Sequence, residues 1–181
     1  MVGAWWRLPL LSWCRKGLTE TLASFNRLSR VEAERRLLAC CGSRAWASAV
    51  AAGRPYGGVA ALMEAADVEL AKLKRSDWLE AFAAHPRIGE RGGHAPAASN
   101  REQKGVMSAR QETLAVLAEG NRLYEERFDH VFLISAAGRS AEDVVAALRH
   151  RIENDPATEL NVAAEEQRKI TRLRLKSMLS S

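Results

Sequence analysis

At 181 residues, 47% apolar and 27% charged, the chain is long enough to build one soluble globular domain whose core needs no disulfide or metal staple. The formal charge of +5 would permit an anionic partner, but basic and acidic residues are mixed along most of the chain, as in Glu32-Ala33-Glu34-Arg35-Arg36. That mixing describes solvated helix faces and excludes a clean nucleic-acid footprint, since no recognised binding motif accompanies the charge.

Residues 1–17 contain Trp5-Trp6-Arg7-Leu8-Pro9-Leu10-Leu11, an apolar run that is short and interrupted by Arg7 and Pro9. It fits neither a secretory signal nor a membrane span, so it is expected to be a poorly ordered extension ahead of a domain over 18–181. No other segment is apolar enough to cross a membrane. Cys14, Cys40 and Cys41 show neither CxxC nor metal-ligand spacing, which indicates reduced thiols and a cytoplasmic setting; the Ser180-Ser181 end is no peroxisomal signal.

From there the pattern is helical nearly throughout. Ser29-Arg30-Val31-Glu32 is a capping box opening a helix that runs to Cys41 and stops at Gly42. Ser43 caps a second helix, Arg54-Pro55-Tyr56-Gly57-Gly58 is a turn, and Leu62, Ala65, Ala66, Leu70 and Leu73 define one face of a third. Ser76 or Asp77 starts a fourth, which Pro86 ends, biasing His85 away from helical geometry. A patternless Gly/Ala/Pro linker, Arg91 to Ala98, leads to Ser99, which with Glu102 makes a second capping box. A long helix from about Ser108 to Phe128 carries Leu114, Leu117, Tyr124 and Phe128 on one stripe. Val131 to Ser135 has strand-like composition but no partner strand, so a buried extended segment is expected there. Ser140 caps a helix to about Asn154, and Asp155-Pro156 opens the last, with proline at its favoured first position. The pattern predicts an all-α, single-domain bundle of roughly seven to nine helices with one buried extended segment.

His85 at a helix end and Glu102 at the next helix start have two readings. Each has a local structural explanation, as a helix stop and a cap. Brought together by the turn, they would also form an acid–base pair, because imidazole changes charge near neutral pH and a carboxylate can orient it. The chain has no P-loop, GxGxxG, HExxH or GxSxG, and His94, His130 and His150 fall at no ligand spacing. An enzyme built on this chain would work through acid–base side chains, with no metal and no organic cofactor.

Several co-linear stretches resemble the family of OHCU decarboxylases, which act on 2-oxo-4-hydroxy-4-carboxy-5-ureidoimidazoline in the last step of urate oxidation to allantoin. They are Leu38-Ala39-Cys40-Cys41-Gly42-Ser43-Arg44-Ala45-Trp46, Asp77 through Gly89 with its His85-Pro86, and Ser99-x-x-Glu102-Gln103. Asn121-x-x-Tyr124-x-x-Arg127-Phe128, the run Phe132 to Ser140, and Glu166-Gln167-x-Lys169-Ile170-Thr171-x-Leu173-Arg174-Leu175 continue the resemblance, which covers about Phe25 to Leu179. It implies cofactor-free decarboxylation to (S)-allantoin by an all-helical homodimer without nucleic-acid or membrane partners. By the same matching His85 is the proton donor and Glu102 its acidic partner. Pro86, Ser99, Asn100, Arg101, Gln103, Ile134, Ser135, Ala136, Ala137 and Gly138 would line the substrate site. Arg174, or in competition Arg151, would hold the substrate carboxylate. One departure is Ala98, where many relatives carry Trp. The competing reading is a non-catalytic module of the same fold that binds a ureide or a protein.

Overall fold

In the computed structural model residues 21–90 and 95–180 are described, and among them the chain forms helices and no strands. In order these are α1 (Leu22–Arg27), α2 (Arg30–Cys40), α3 (Arg44–Ala52), α4 (Val59–Ala71), α5 (Arg75–Ala83), α6 (Pro96–Glu102), α7 (Lys104–Met107), α8 (Gln111–Phe128), α9 (Ala141–Arg151) and α10 (Pro156–Leu179). The ten exceed the seven to nine expected because α1 and α7 are single turns of six and four residues, too short to show a hydrophobic period. Residues 1–17, and with them Cys14, lie outside the described residues. Among the described residues no helix is long and apolar enough to cross a membrane.

Local capping explains most helix starts. Ser29, Ser43, Ser140 and Asp155 each accept a backbone N–H from the first turn of their helix. Ser140 and Asp143 complete a full capping box. At α2 only half of the expected box forms, because the Glu32 carboxylate turns to Arg35 and Arg36 instead. Helix α5 starts one residue before Ser76, with Asp77 in its first turn accepting the Lys74 N–H at 2.9 Å.

The largest departure from the expected pattern is at α6. It begins at Pro96, inside the linker, so Ser99 is a buried residue in mid-helix and not a cap. Glu102 is the last residue of that helix, and the capping-box reading of Ser99 and Glu102 does not hold. Proline at the first helical position costs no hydrogen bond, since that N–H has no partner within the helix.

Two apolar clusters form the core. One packs α1 to α5 against α10 through Phe25, Leu37, Trp46, Leu62, Phe82, Ile170 and Leu175. The other joins α7, α8 and α9 through Val106, Leu117, Tyr124, Phe128, Val144 and Leu148. The expected extended segment is their seam: Leu133 belongs to the first cluster, while Phe132 and Ile134 belong to the second. Alternation of successive side chains is what an extended backbone produces. At the other edge of the site, an added Cβ on Gly42 would lie 2.3 Å from Cβ of Ala84. Glycine there lets the α2–α3 turn press against the end of α5, one residue before His85.

Candidate active site

Helix α5 ends as Pro86 dictates, and the His85 N–H donates to the Phe82 carbonyl at 3.0 Å. The stretch that follows is pinned from two directions. Gln103 Oε1 accepts the Gly89 N–H at 2.8 Å, and Asn121 Nδ2 donates to the Ile88 carbonyl at 2.9 Å. Gly89 has φ of 89°, a left-handed conformation that favours glycine. These bonds fix the turn that presents His85, whose Nε2 is closed off from solvent.

A small hollow of about 20 Å³ lies beside this turn, lined by His85, Pro86, Ile88, Ser99, Glu102, Gln103, Phe132, Leu133, Ile134, Ala136 and Ile170. Helix α10 reaches it through Ile170, and four residues on Arg174 touches its lining residues Glu102 and Ser99. The Arg174 guanidinium grips Glu102 with both arms, Nε to Oε1 at 2.8 Å and Nη2 to Oε2 at 2.7 Å. Nη2 also reaches the Ser99 hydroxyl at 3.3 Å. Such a fork fixes orientation as well as charge.

Glu102 and Arg174 also border an open cleft of about 540 Å³, lined besides by Arg36, Cys40, Ala95 to Ala98, Arg101, Ala137 and Met178. His85 lines the small hollow and not this larger space. Cys40 faces this cleft, but burial pushes its thiol up to about 12 and that of Cys41 to about 11. Both are protonated core fillers at neutral pH, not nucleophiles.

The hollow thus brings together His85, Pro86, Ser99, Glu102, Gln103, Ile134 and Ala136. Arg101 and Ala137 face the cleft, Arg174 borders it, and Asn100 and Gly138 are exposed and line neither space. Ser135 points its N–H away, into Glu166 at 2.7 Å. Arg151 lines neither space: it is buried against Glu159, the Tyr124 hydroxyl and the Leu133 carbonyl. Ile88, Phe132, Leu133 and Ile170 are lining residues that motif reading missed. Only Ile170 had a signal, its four-residue offset from Arg174 on one helix face. His130 is half-buried and its Nδ1 is 3.1 Å from the Val131 carbonyl; His150 is exposed. Among the described residues no group of three or more His, Cys, Asp or Glu is placed to hold a metal ion.

Helices alone among the described residues, two apolar cores and one small pocket that a histidine shares with a carboxylate held in a guanidinium fork define an all-α protein of one recognisable class. The chain belongs to the OHCU decarboxylase family, whose pattern it matches over residues 26–176. It is 31% identical over 140 residues to 2-oxo-4-hydroxy-4-carboxy-5-ureidoimidazoline decarboxylase of Mus musculus, covering 75% of this chain and 79% of the mouse protein. It is 35% identical over 147 residues to the uric acid degradation bifunctional protein TTL of Arabidopsis thaliana, with 78% of this chain aligned. The match spans only 45% of that longer protein. Among solved structures, an OHCU decarboxylase crystallised in the presence of (S)-allantoin superposes with a TM-score of 0.73 at 34% identity, covering 81% of this chain and 99% of that one. An (S)-allantoin synthase shares the fold at 20% identity, with a TM-score of 0.69, over 90% of this chain and 54% of the synthase.

Proposed function

We propose that this chain decarboxylates 2-oxo-4-hydroxy-4-carboxy-5-ureidoimidazoline to (S)-allantoin, with His85 as proton donor and Glu102 as its acidic partner. What carries the reading is the small hollow that His85, Glu102 and Gln103 line together in a chain of this family. The relative crystallised with (S)-allantoin, the product of the proposed reaction, supports it.

The substrate bears a carboxylate and a hydroxyl on one ring carbon beside a C=N bond. When the C–CO2 bond breaks, its electron pair passes into that C=N system, so the substrate is its own electron sink. That forms a C=C bond between the two ring carbons and leaves charge on the nitrogen, which takes the hydroxyl proton as C–OH becomes C=O. The protein must orient the breaking bond and deliver one proton to one face of the former C=N carbon. His85 delivers it, and positioned proton transfer of this kind contributes about 10²–10⁴-fold. Glu102 holds a substrate hydroxyl or N–H, with its charge and direction fixed by Arg174. Gln103 and the peptide groups of Ile134 to Gly138 read the ring and the ureido arm. Arg174 Nη1, which touches neither Glu102 nor Ser99 and donates only a long bond to the Ala39 carbonyl at 3.5 Å, is the donor that would take the substrate carboxylate. Over-tight binding there would slow loss of neutral CO2.

A hollow of about 20 Å³ holds roughly one water and no substituted five-membered ring. Substrate binding therefore requires the hollow to open, and the cleft of about 540 Å³ that shares Glu102 with it is the route of entry. We read the working form as a homodimer in the cytoplasm, which sizing chromatography and cell fractionation check.

The test generates the unstable substrate from urate in place and follows allantoin by circular dichroism. His85→Ala and Glu102→Ala should each lower kcat/KM by about 10²-fold or more. Wild-type rates in both would refute the assignment. Tight allantoin binding by a wild-type chain with no turnover would favour the binding-module reading.

A further inference from the structure

Ser135 lies in the seam segment whose neighbours Ile134 and Ala136 line the hollow, and both of its peptide groups are taken by charged side chains. Its N–H donates to Glu166 Oε2 at 2.7 Å, and its carbonyl accepts from Arg139 Nε at 3.1 Å. Two residues earlier the Leu133 carbonyl accepts from Arg151 Nη1 at 2.7 Å. Bonds to ionised groups replace the ladder that a lone extended segment lacks, and they are the stronger kind.

Glu166 is only 7% exposed, a costly place for a carboxylate unless its charge is matched. Burial pushes its acidity towards the neutral form, but Lys169 Nζ at 2.6 Å and the Ser135 N–H outweigh burial and hold the carboxyl below its ordinary range. Glu166, Ile170 and Arg174 follow at four-residue steps, so they share one face of α10. Ile170 lines the hollow and Arg174 grips Glu102. Glu166 is the third member of the stripe, and its grip falls on backbone.

We infer that Glu166 is a positioning residue for substrate recognition: by holding the Ser135 N–H it sets the path of residues 134–136 along the wall of the hollow. This rests on the decarboxylase reading of that hollow. Proton delivery belongs to His85 at the end of α5, outside the segment that Glu166 holds, so losing the grip is felt in KM and not in kcat.

Steady-state assays of the full chain on substrate generated from urate, with amide hydrogen exchange at Ser135, test it. Glu166→Ala should raise KM by about tenfold or more while kcat stays within about threefold. Glu166→Gln keeps an oxygen for the Ser135 N–H and should recover most of the loss. Lys169→Ala should leave KM near wild type. Exchange at Ser135 should quicken in the alanine variant and stay protected in the glutamine variant. A wild-type KM in Glu166→Ala would overturn the inference, as would equal KM losses in both Glu166 variants that merely follow their thermal midpoints. If the alanine variant does not fold, Glu166→Asp decides, because it keeps the charge and loses the reach; an unchanged KM there overturns the inference too. A folded wild-type chain with no turnover would instead refute the decarboxylase reading, and Ser135 exchange would still test the grip.

Discussion

Arg151 with Glu159 and Arg174 with Glu102 are the same chemical pair in two surroundings. In the first, the side chains are 7% and 0% exposed, and every part of the carboxylate is engaged. Glu159 Oε1 takes Arg151 and the Tyr124 hydroxyl, and Oε2 takes Asn154 at 2.8 Å. Burial, and then the Glu159 carboxylate, push the Tyr124 phenol well above its usual range, so it stays a donor. In the second pair the side chains are 8% and 18% exposed. Glu102 has one arm of Arg174 on each oxygen and borders two cavities. A carboxylate can accept about four hydrogen bonds, so Glu102 keeps capacity that Glu159 has largely spent. What separates a structural ion pair from a chemical one here is the spare acceptor capacity of its carboxylate beside empty space.

The sharpest way to break this comparison is to remove the arginine from each pair. Arg151→Met strands a buried carboxylate beneath the seam and should cost about 3–5 kcal/mol of stability. Arg151→Met with Glu159→Leu should recover much of that loss, since no uncompensated charge then remains. Chemical denaturation reads both. Equal instability of the single and double variants would show that the pair itself, and not the stranded charge, holds the seam.

Arg174→Ala should do the reverse, because Glu102 can turn its charge towards the cleft. Stability should fall by less than about 2 kcal/mol, while kcat/KM on substrate generated in place falls by about 10²-fold. Arg174→Lys should not restore activity, since one ammonium cannot hold both oxygens. A thermal midpoint that drops as far as in Arg151→Met would put the two pairs in one class after all.

The division between these pairs also marks what the sequence could disclose. The caps at Ser29, Ser43, Ser140 and Asp155 were legible because a cap and its donors lie within one turn. So was the seam at Val131 to Ser135, apolar and without a partner strand. Ser99-x-x-Glu102 misled for the same reason the others succeeded: locally it satisfies the capping-box pattern. The bond that decides the fate of Glu102 comes from Arg174, 72 residues away. Likewise, the resemblance left Arg174 and Arg151 as competitors for the substrate carboxylate, and only tertiary packing separates Arg151, buried against Glu159 and the seam, from Arg174 at the edge of the cleft. His85 and Glu102 could be singled out as a pair through the resemblance, while Glu166 acquires its role only when α10 lies against the seam.

The smallest expected effect lies where the two cores meet, at His130. Its ring stands 5.1 Å from Phe82 of one core and 5.5 Å and 6.2 Å from Tyr124 and Phe128 of the other. Burial lowers its pKa from the ordinary 6.5; the Val131 carbonyl and Glu159 oppose this, and the charges of Arg151 and Arg75 add to it. The unfolded chain therefore takes up the proton first. Stability contributed by this residue is complete above the unfolded pKa, falls as pH drops through about 6.5, and levels off below the folded value. His130→Gln removes that dependence and nothing else that titrates in the window, since the lowered carboxyls of Glu166, Asp143 and Asp155 act at still lower pH. Denaturation midpoints taken from pH 7.5 to about 5 should fall more steeply for the wild type than for His130→Gln. Parallel slopes would mean that the imidazole charges freely in the native state, and that the seam above Arg151–Glu159 is wetter than the sealed pair implies.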